Sequence, residues 1–189
     1  ALSLAIKYND KFDIKQNFII GSISKVYRDM GYFEKSLTYA ERCIDGYRMT
    51  NGIRSGSYSL ALALKADILQ KMEDKDSSMS VRMLSLEILR KIYGFSDICI
   101  SEGYIPLIRS YIENKQYKKA GKTCDYVLNK IKGTTNSSIK WNIAKLYEQK
   151  SYIYYKIGKL SKAIDIINNS LRIYDSICGE ENASYINCE

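Results

Sequence analysis

Apolar and small residues return along this chain at helical spacing, and the helical pattern itself repeats. A small residue stands at Ser36, Ser78, Ala120 and Ala163, in steps of 42, 42 and 43. Twelve residues before each lies Ser24, Ala66, Ile108 and Ser151, and nine before lies Tyr27, Leu69, Tyr111 and Tyr154. Eight residues after each comes Ile44, Leu86, Leu128 and Leu171. Between these markers run apolar stripes of period 3.6, such as Ile20, Ile23 and Tyr27, then Leu62, Ala66 and Leu69, each of which buries one face of a helix. The small residue belongs where two helix axes approach most closely. The pattern predicts eight helices, over 13–31, 33–50, 56–73, 76–93, 97–114, 116–132, 137–157 and 160–177, paired into hairpins at about 13–50, 56–93, 97–132 and 137–177. One hairpin cannot cover its own apolar face, so the hairpins must stack.

Turn chemistry agrees with these boundaries. Gly31 and Gly158 fall between paired helices, where a left-handed cap is needed. In the corresponding turn of the second hairpin, Asp74 and Asp76 are candidate side-chain caps. The only proline, Pro106, falls inside the fifth helix. It lacks an amide donor and clashes with the preceding turn, so it predicts a kink or the true helix start there.

The order small, aromatic, small, apolar at these offsets resembles the tetratricopeptide repeat along the whole chain. That family's standard repeat is shorter. The extra residues here lengthen the second helix to a closing glycine, in Tyr47 to Asn51-Gly52, Leu89 to Tyr93-Gly94 and Tyr174 to Cys178-Gly179, which is similar to the long repeats of kinesin light chains. The family's proline at the hairpin end is missing, and Ile20, Leu62, Tyr104 and Tyr147 stand where its tryptophan would. The resemblance implies an all-α, right-handed superhelical solenoid of about four antiparallel helix pairs, noncatalytic, with a concave groove. HEAT repeats of about 40 to 47 residues are the alternative solenoid, which the recurrent small and tyrosine positions disfavour. In register, Ala1-Leu2 matches the second helix of an earlier repeat, and Glu180 to Glu189 matches the opening of a fifth. The chain thus reads as one domain over 1–189, an internal fragment of a longer protein.

Composition narrows the chemistry. With no histidine, a Ser-His-Asp triad, a Cys-His pair and the usual zinc hydrolase site cannot be assembled. The five cysteines, Cys43, Cys99, Cys124, Cys178 and Cys188, form no Cys-x-x-Cys pair, and Cys43 and Cys124 fall at packing positions, as buried structural thiols do. No glycine-rich phosphate loop is present, so no cofactor, metal or catalytic residue is implied. Asn136-Ser137-Ser138 and Asn182-Ala183-Ser184 are formal glycosylation triplets without a secretion signal. No apolar run is long enough to span a membrane, and the reading is cytoplasmic.

The net charge of +8 raises nucleic acid as a partner. Lysines do gather near two turns, Lys115, Lys118, Lys119 and Lys122, then Lys156, Lys159 and Lys162, yet a solvated face explains them better than a nucleic-acid site. By the resemblance, the groove is lined by Gly21, Lys25 and Arg28, then Ala63, Asp67 and Gln70, then Ile105, Arg109 and Ile112, then Glu148, Tyr152 and Tyr155. Asp67 and Glu148 would obstruct a polyanion, whereas a peptide or partner helix uses mixed contacts. The lysine and asparagine clamp that some members close on a terminal carboxylate is absent, with Gly21 and Lys25 at its places. The function expected is a protein or peptide scaffold. The alternative is the sensing domain of a larger regulator, such as a bacterial transcriptional one, with its output domain outside this stretch.

Overall fold

The computed structural model describes residues 13–134 and 136–178, and all regular elements among them are helical. In order they are α1 (Ile14–Asp29), α2 (Phe33–Asn51), α3 (Gly56–Lys71), α4 (Lys75–Tyr93), the single turn α5 (Asp97–Cys99), a π-helical turn (Ile100–Tyr104), α6 (Ile105–Glu113), α7 (Tyr117–Lys130), α8 (Ser137–Lys156) and α9 (Leu160–Cys178). Every predicted helix is present with its ends displaced by two residues or fewer. The matches read at Ala1-Leu2 and at 180–189, Gly179, Cys188 and the triplet at Asn182 lie outside the described residues. The chain divides at Gly94 and Phe95 into two compact units of two hairpins each.

The small marker residues sit where the paired helices cross. In the first hairpin the Ser24 hydroxyl donates to the Ser36 carbonyl and the Ser36 hydroxyl donates to the Ser24 carbonyl, each at 2.7 Å. Ser78 donates to the Ala66 carbonyl at 2.7 Å, and Ser151 to the Ala163 carbonyl at 2.8 Å. Hydroxyl-to-carbonyl bonds across a helix pair require backbones too close for larger side chains, which is the reason for the spacing of twelve. A second crossing recurs at a spacing of 26. Ser59 and Ser85 each donate to the other's carbonyl, at 2.8 and 2.9 Å, Ser170 donates to the Ala144 carbonyl at 3.0 Å, and the Cys43 thiol donates to the Asn17 carbonyl at 3.4 Å. Beside it, a side chain at Gly46 would run into the carboxamide of the fully buried Asn17.

The turn inside each hairpin is one motif made four times. The amides of Tyr32, Asp74, Gln116 and Lys159 donate back to the carbonyls of Tyr27, Leu69, Tyr111 and Tyr154, the recurrent positions, and the residue before each amide is left-handed. This is the helix-closing pair of bonds that satisfies otherwise orphaned carbonyls. Glycine fills the left-handed place at Gly31 and Gly158, but Glu73 and Lys115 hold it at φ 64° and 57°. Glu73→Gly is therefore expected to raise stability by up to about 1 kcal/mol, and Gly158→Ala to lower it by about 1 kcal/mol. Urea midpoints moving in the same direction for both would contradict this. Asp74 caps α4 by accepting from the Ser77 amide at 3.2 Å, and Asn136 caps α8 by accepting from the Ile139 amide at 3.2 Å.

Pro106 is not the helix start, because the helical run continues from Asp97 to Glu113. The turn before it instead widens to π geometry, in which the Ile105 amide reaches the Ile100 carbonyl. A proline inside a helix removes one amide donor, and such a local widening accommodates it.

Within the first unit, α2 and α3 pack through Ala40, Leu64 and Ile68, with Phe33, Leu37 and Met72 around them, and Ile20 of α1 joins Cys43 and Ala61 in a second cluster. Ion pairs recur across the same kind of joint, Lys65 to Glu41 at 2.7 Å and, in the second unit, Lys150 to Asp125 at 2.5 Å. Cys43, Cys99 and Cys124 are buried. Burial pushes the thiol of Cys43 up to about 11 and that of Cys124 up to about 12, which leaves both protonated and poor nucleophiles at neutral pH.

Candidate functional site

The second unit carries an open cleft of about 850 Å³. Its floor comes from the first helices of the two hairpins: Arg109 and Ile112 on α6, and Glu148, Tyr152 and Tyr155 on α8. These residues follow one another at spacings of three and four, so each helix presents them on one face, beside the stripe that packs inward. Arg109 is exposed, Tyr152 and Tyr155 are 44% and 55% exposed, and Ile112 closes the bottom at 8%. Ile105, expected in the same lining, is 3% exposed and belongs to the core, and Gly21 at the same register position of α1 is buried as well.

The remaining walls come from parts of the hairpins that the first-helix rule omits. The turn and start of α7 contribute Lys115 and Tyr117, the end of α8 contributes Lys156, and α9 contributes Ala163, Ile164 and Ile167. Lys156 lies over two rings, with Nζ 5.0 Å from the centroid of Tyr152 and 5.5 Å from that of Tyr155, a cation–π arrangement. A hydrogen bond with Tyr152 holds its ammonium above the usual lysine range. Glu148 accepts from the Tyr174 hydroxyl at 2.7 Å, and Trp141 packs edge-on to Tyr174 at 4.9 Å, so the carboxylate is fixed from behind. The cleft thus pairs an aromatic and aliphatic floor with Arg109, Lys115 and Lys156 on one side of the charge balance and Glu113 and Glu148 on the other. Two of the turn lysines, Lys115 and Lys156, face this cleft, while Lys118, Lys122, Lys159 and Lys162 are exposed.

In the first unit the expected lining splits. Lys25 is exposed and lines a smaller recess of about 240 Å³ with Gly21, Phe18 and Leu60. Arg28 and Asp67 do meet, at 3.5 Å, but Asp67 is held more tightly by Arg82 of α4, at 2.6 Å. Arg82 is 4% exposed and occupies the position held by Ala40, Cys124 and Ile167 in the other hairpins. Asp67 therefore neutralises a buried guanidinium, a role invisible from the lining pattern alone. Gln70 is half-buried beside it.

Comparison with known proteins agrees with this architecture. Residues 19–45 and 144–176 match the sequence profile described as tetratricopeptide repeat. A search of curated proteins returns no match. Among solved structures, BtubC (BKLC) from P. vanneervenii superposes with a TM-score of 0.72 at 15% identity, over 93% of this chain and 70% of that one. Nearly identical TPR-like repeats of a kinesin-light-chain-like protein from Podosopora anserina superpose with a TM-score of 0.69 at 14% identity, over 89% of this chain and 80% of that one. The fold and the repeating hairpin thus define an all-helical repeat protein. Two stretches of it are similar to the tetratricopeptide repeat, and its structural neighbours include kinesin-light-chain-like repeats. Among the described residues no helix is long and apolar enough to cross a membrane.

Proposed function

We propose that the chain is a protein-interaction scaffold that holds a peptide segment or a partner's helix in the cleft of its second unit. The observation that supports this reading is the convergence of Arg109, Ile112, Glu148, Tyr152 and Tyr155 on one open cleft, with exposed tyrosines between charges of both signs. Rigid aromatic surface flanked by arginine is the composition of an interface centre, where a few anchors dominate the binding energy. Fixing Glu148 through Tyr174 reduces the ordering cost on binding.

The test is a pull-down with the full protein, peptide mapping of the bound partner, and titration of the mapped segment. The double variant Arg109→Ala, Tyr152→Ala is expected to weaken binding by more than about 1 kcal/mol with unchanged helical circular dichroism. Reversing charge at Lys118 and Lys122 should matter little at either of two salt concentrations. Loss confined to the lysine variant, with steep salt dependence, would point to nucleic acid instead.

A further inference from the structure

Asn51-Gly52 closes α2 and is the one asparagine–glycine pair in the sequence. Asn51 is the last helical residue and is exposed. Gly52 is left-handed at φ 75°, and apart from its chain neighbours no atom lies within 4 Å of where a Cβ would stand. Gly94 closes α4 at the equivalent place, and its amide donates back to the Arg90 carbonyl at 3.0 Å. The Gly52 amide makes no such return bond to Arg48. Beside it, the Thr50 hydroxyl lies 2.6 Å from Oδ1 of Asn51, an ordinary O–H···O length, so that oxygen accepts. The Thr50 oxygen is held in turn by Nδ2 of the fully buried Asn17 at 3.3 Å, and its single proton is shared with the Gly46 carbonyl at 2.9 Å. An unshielded main-chain nitrogen thus follows a side-chain carbonyl that already carries a donor.

We propose that Asn51-Gly52 is a self-modification site, at which Asn51 is converted to aspartate and isoaspartate through a cyclic imide. The Gly52 nitrogen, with no Cβ beside it, loses its proton to hydroxide and attacks Cγ of Asn51. The Thr50 hydroxyl stabilises the negative charge that develops on Oδ1. The Cγ–Nδ2 bond then breaks, and Nδ2 leaves as ammonia with a proton taken from water. Water opens the imide at either carbonyl, giving aspartate or an isoaspartate link that carries the main chain through Cγ. The attack requires Asn51 to leave its helical ψ, which costs least at a helix end, where local opening is frequent. Either product places a carboxylate at the negative end of the α2 dipole, and isoaspartate also lengthens the main chain by a methylene. The altered turn runs through Ile53 and Arg54, which border a recess of about 690 Å³ with Tyr58 and Ile92, into α3. The α2–α3 joint therefore loosens as the molecule ages.

Prolonged incubation of the whole chain at neutral and at mildly alkaline pH tests this, with peptide mapping by mass spectrometry and labelling by an isoaspartyl methyltransferase. The expected result is acid at Asn51 ahead of every other asparagine, formed faster at the higher pH because the attacking nitrogen must be deprotonated. Thr50→Val should slow the conversion severalfold, and Thr50→Ser, which keeps the hydroxyl, should restore it. A role for Thr50 in packing alone would not follow the hydroxyl in this way. Helical circular dichroism checks the fold, and Thr50→Ala repeats the comparison should the valine variant misfold. An Asn51 that stays an amide while the free peptide of residues 48–55 converts would overturn the proposal, because the helix end would then protect it. So would a folded Thr50→Val chain that converts as fast as the unaltered one.

Discussion

Ala120→Leu is expected to destabilise the chain by about 3 kcal/mol, at the upper end of what overpacking a close contact costs. Ala120 is fully buried at the crossing of α6 and α7, opposite Ile108, which already fills its side of the joint. The other hairpins place serine or alanine on both sides and tie the backbones together at 2.7 to 2.8 Å by hydroxyl bonds. The third hairpin has no hydroxyl to trade away and no space to yield, so the helices must separate. Ala163→Leu should cost less, about 1 kcal/mol, because Ala163 is 7% exposed and borders the open cleft, where a longer side chain has an exit. Chemical denaturation of both variants checks the order. Equal midpoints, or a larger loss at Ala163, would show that the crossing has been misassigned.

Asp67→Asn is expected to cost about 2 kcal/mol, whereas Arg82→Met should change stability by less than about 1 kcal/mol. The asymmetry follows from burial. The Arg82 side chain is 5% exposed and that of Asp67 45%, so removing the carboxylate's charge strands a guanidinium with little access to water. Removing the guanidinium leaves a carboxylate that water and Arg28 still serve. The figure stands below the about 3 to 5 kcal/mol of a wholly buried pair because Asp67 is half open. Methionine also restores the apolar character found at Ala40, Cys124 and Ile167. Denaturant midpoints for the two single variants decide it. A harmless Asp67→Asn would mean that Arg82 reaches solvent or another acceptor.

These contrasts show which parts of the molecule can be read from sequence. Helix positions were legible because one stripe recurs four times, so an ambiguity in one hairpin is settled by the others. Pro106 was legible because its missing donor has few structural outcomes. The crossing at a spacing of 26 was not, since among its members, Asn17 with Cys43, Ser59 with Ser85 and Ala144 with Ser170, only Ser85 and Ser170 coincide in residue type. At the candidate site, the first-helix rule named Arg109, Ile112, Glu148, Tyr152 and Tyr155, which line one cleft, but also Ile105, whose register position turns inward in α1 too, at Gly21. The rule could not find Lys156, Ile164 or Ile167, which reach the cleft from a helix end and a second helix. The available signal was Ile164 itself, an isoleucine at a register position whose counterpart Leu37 needs a neighbouring helix to cover it.

The central claim is that a protein partner occupies the cleft between α6 and α8. Its most direct test is site-specific photocrosslinking, with a benzoylphenylalanine at Tyr152 in the cleft and, separately, at Met83 on the exposed surface of α4. The account expects the mapped partner to crosslink from Tyr152, to be displaced by excess unlabelled segment, and to give no crosslink from Met83. Crosslinking from Met83 with none from Tyr152 would contradict it.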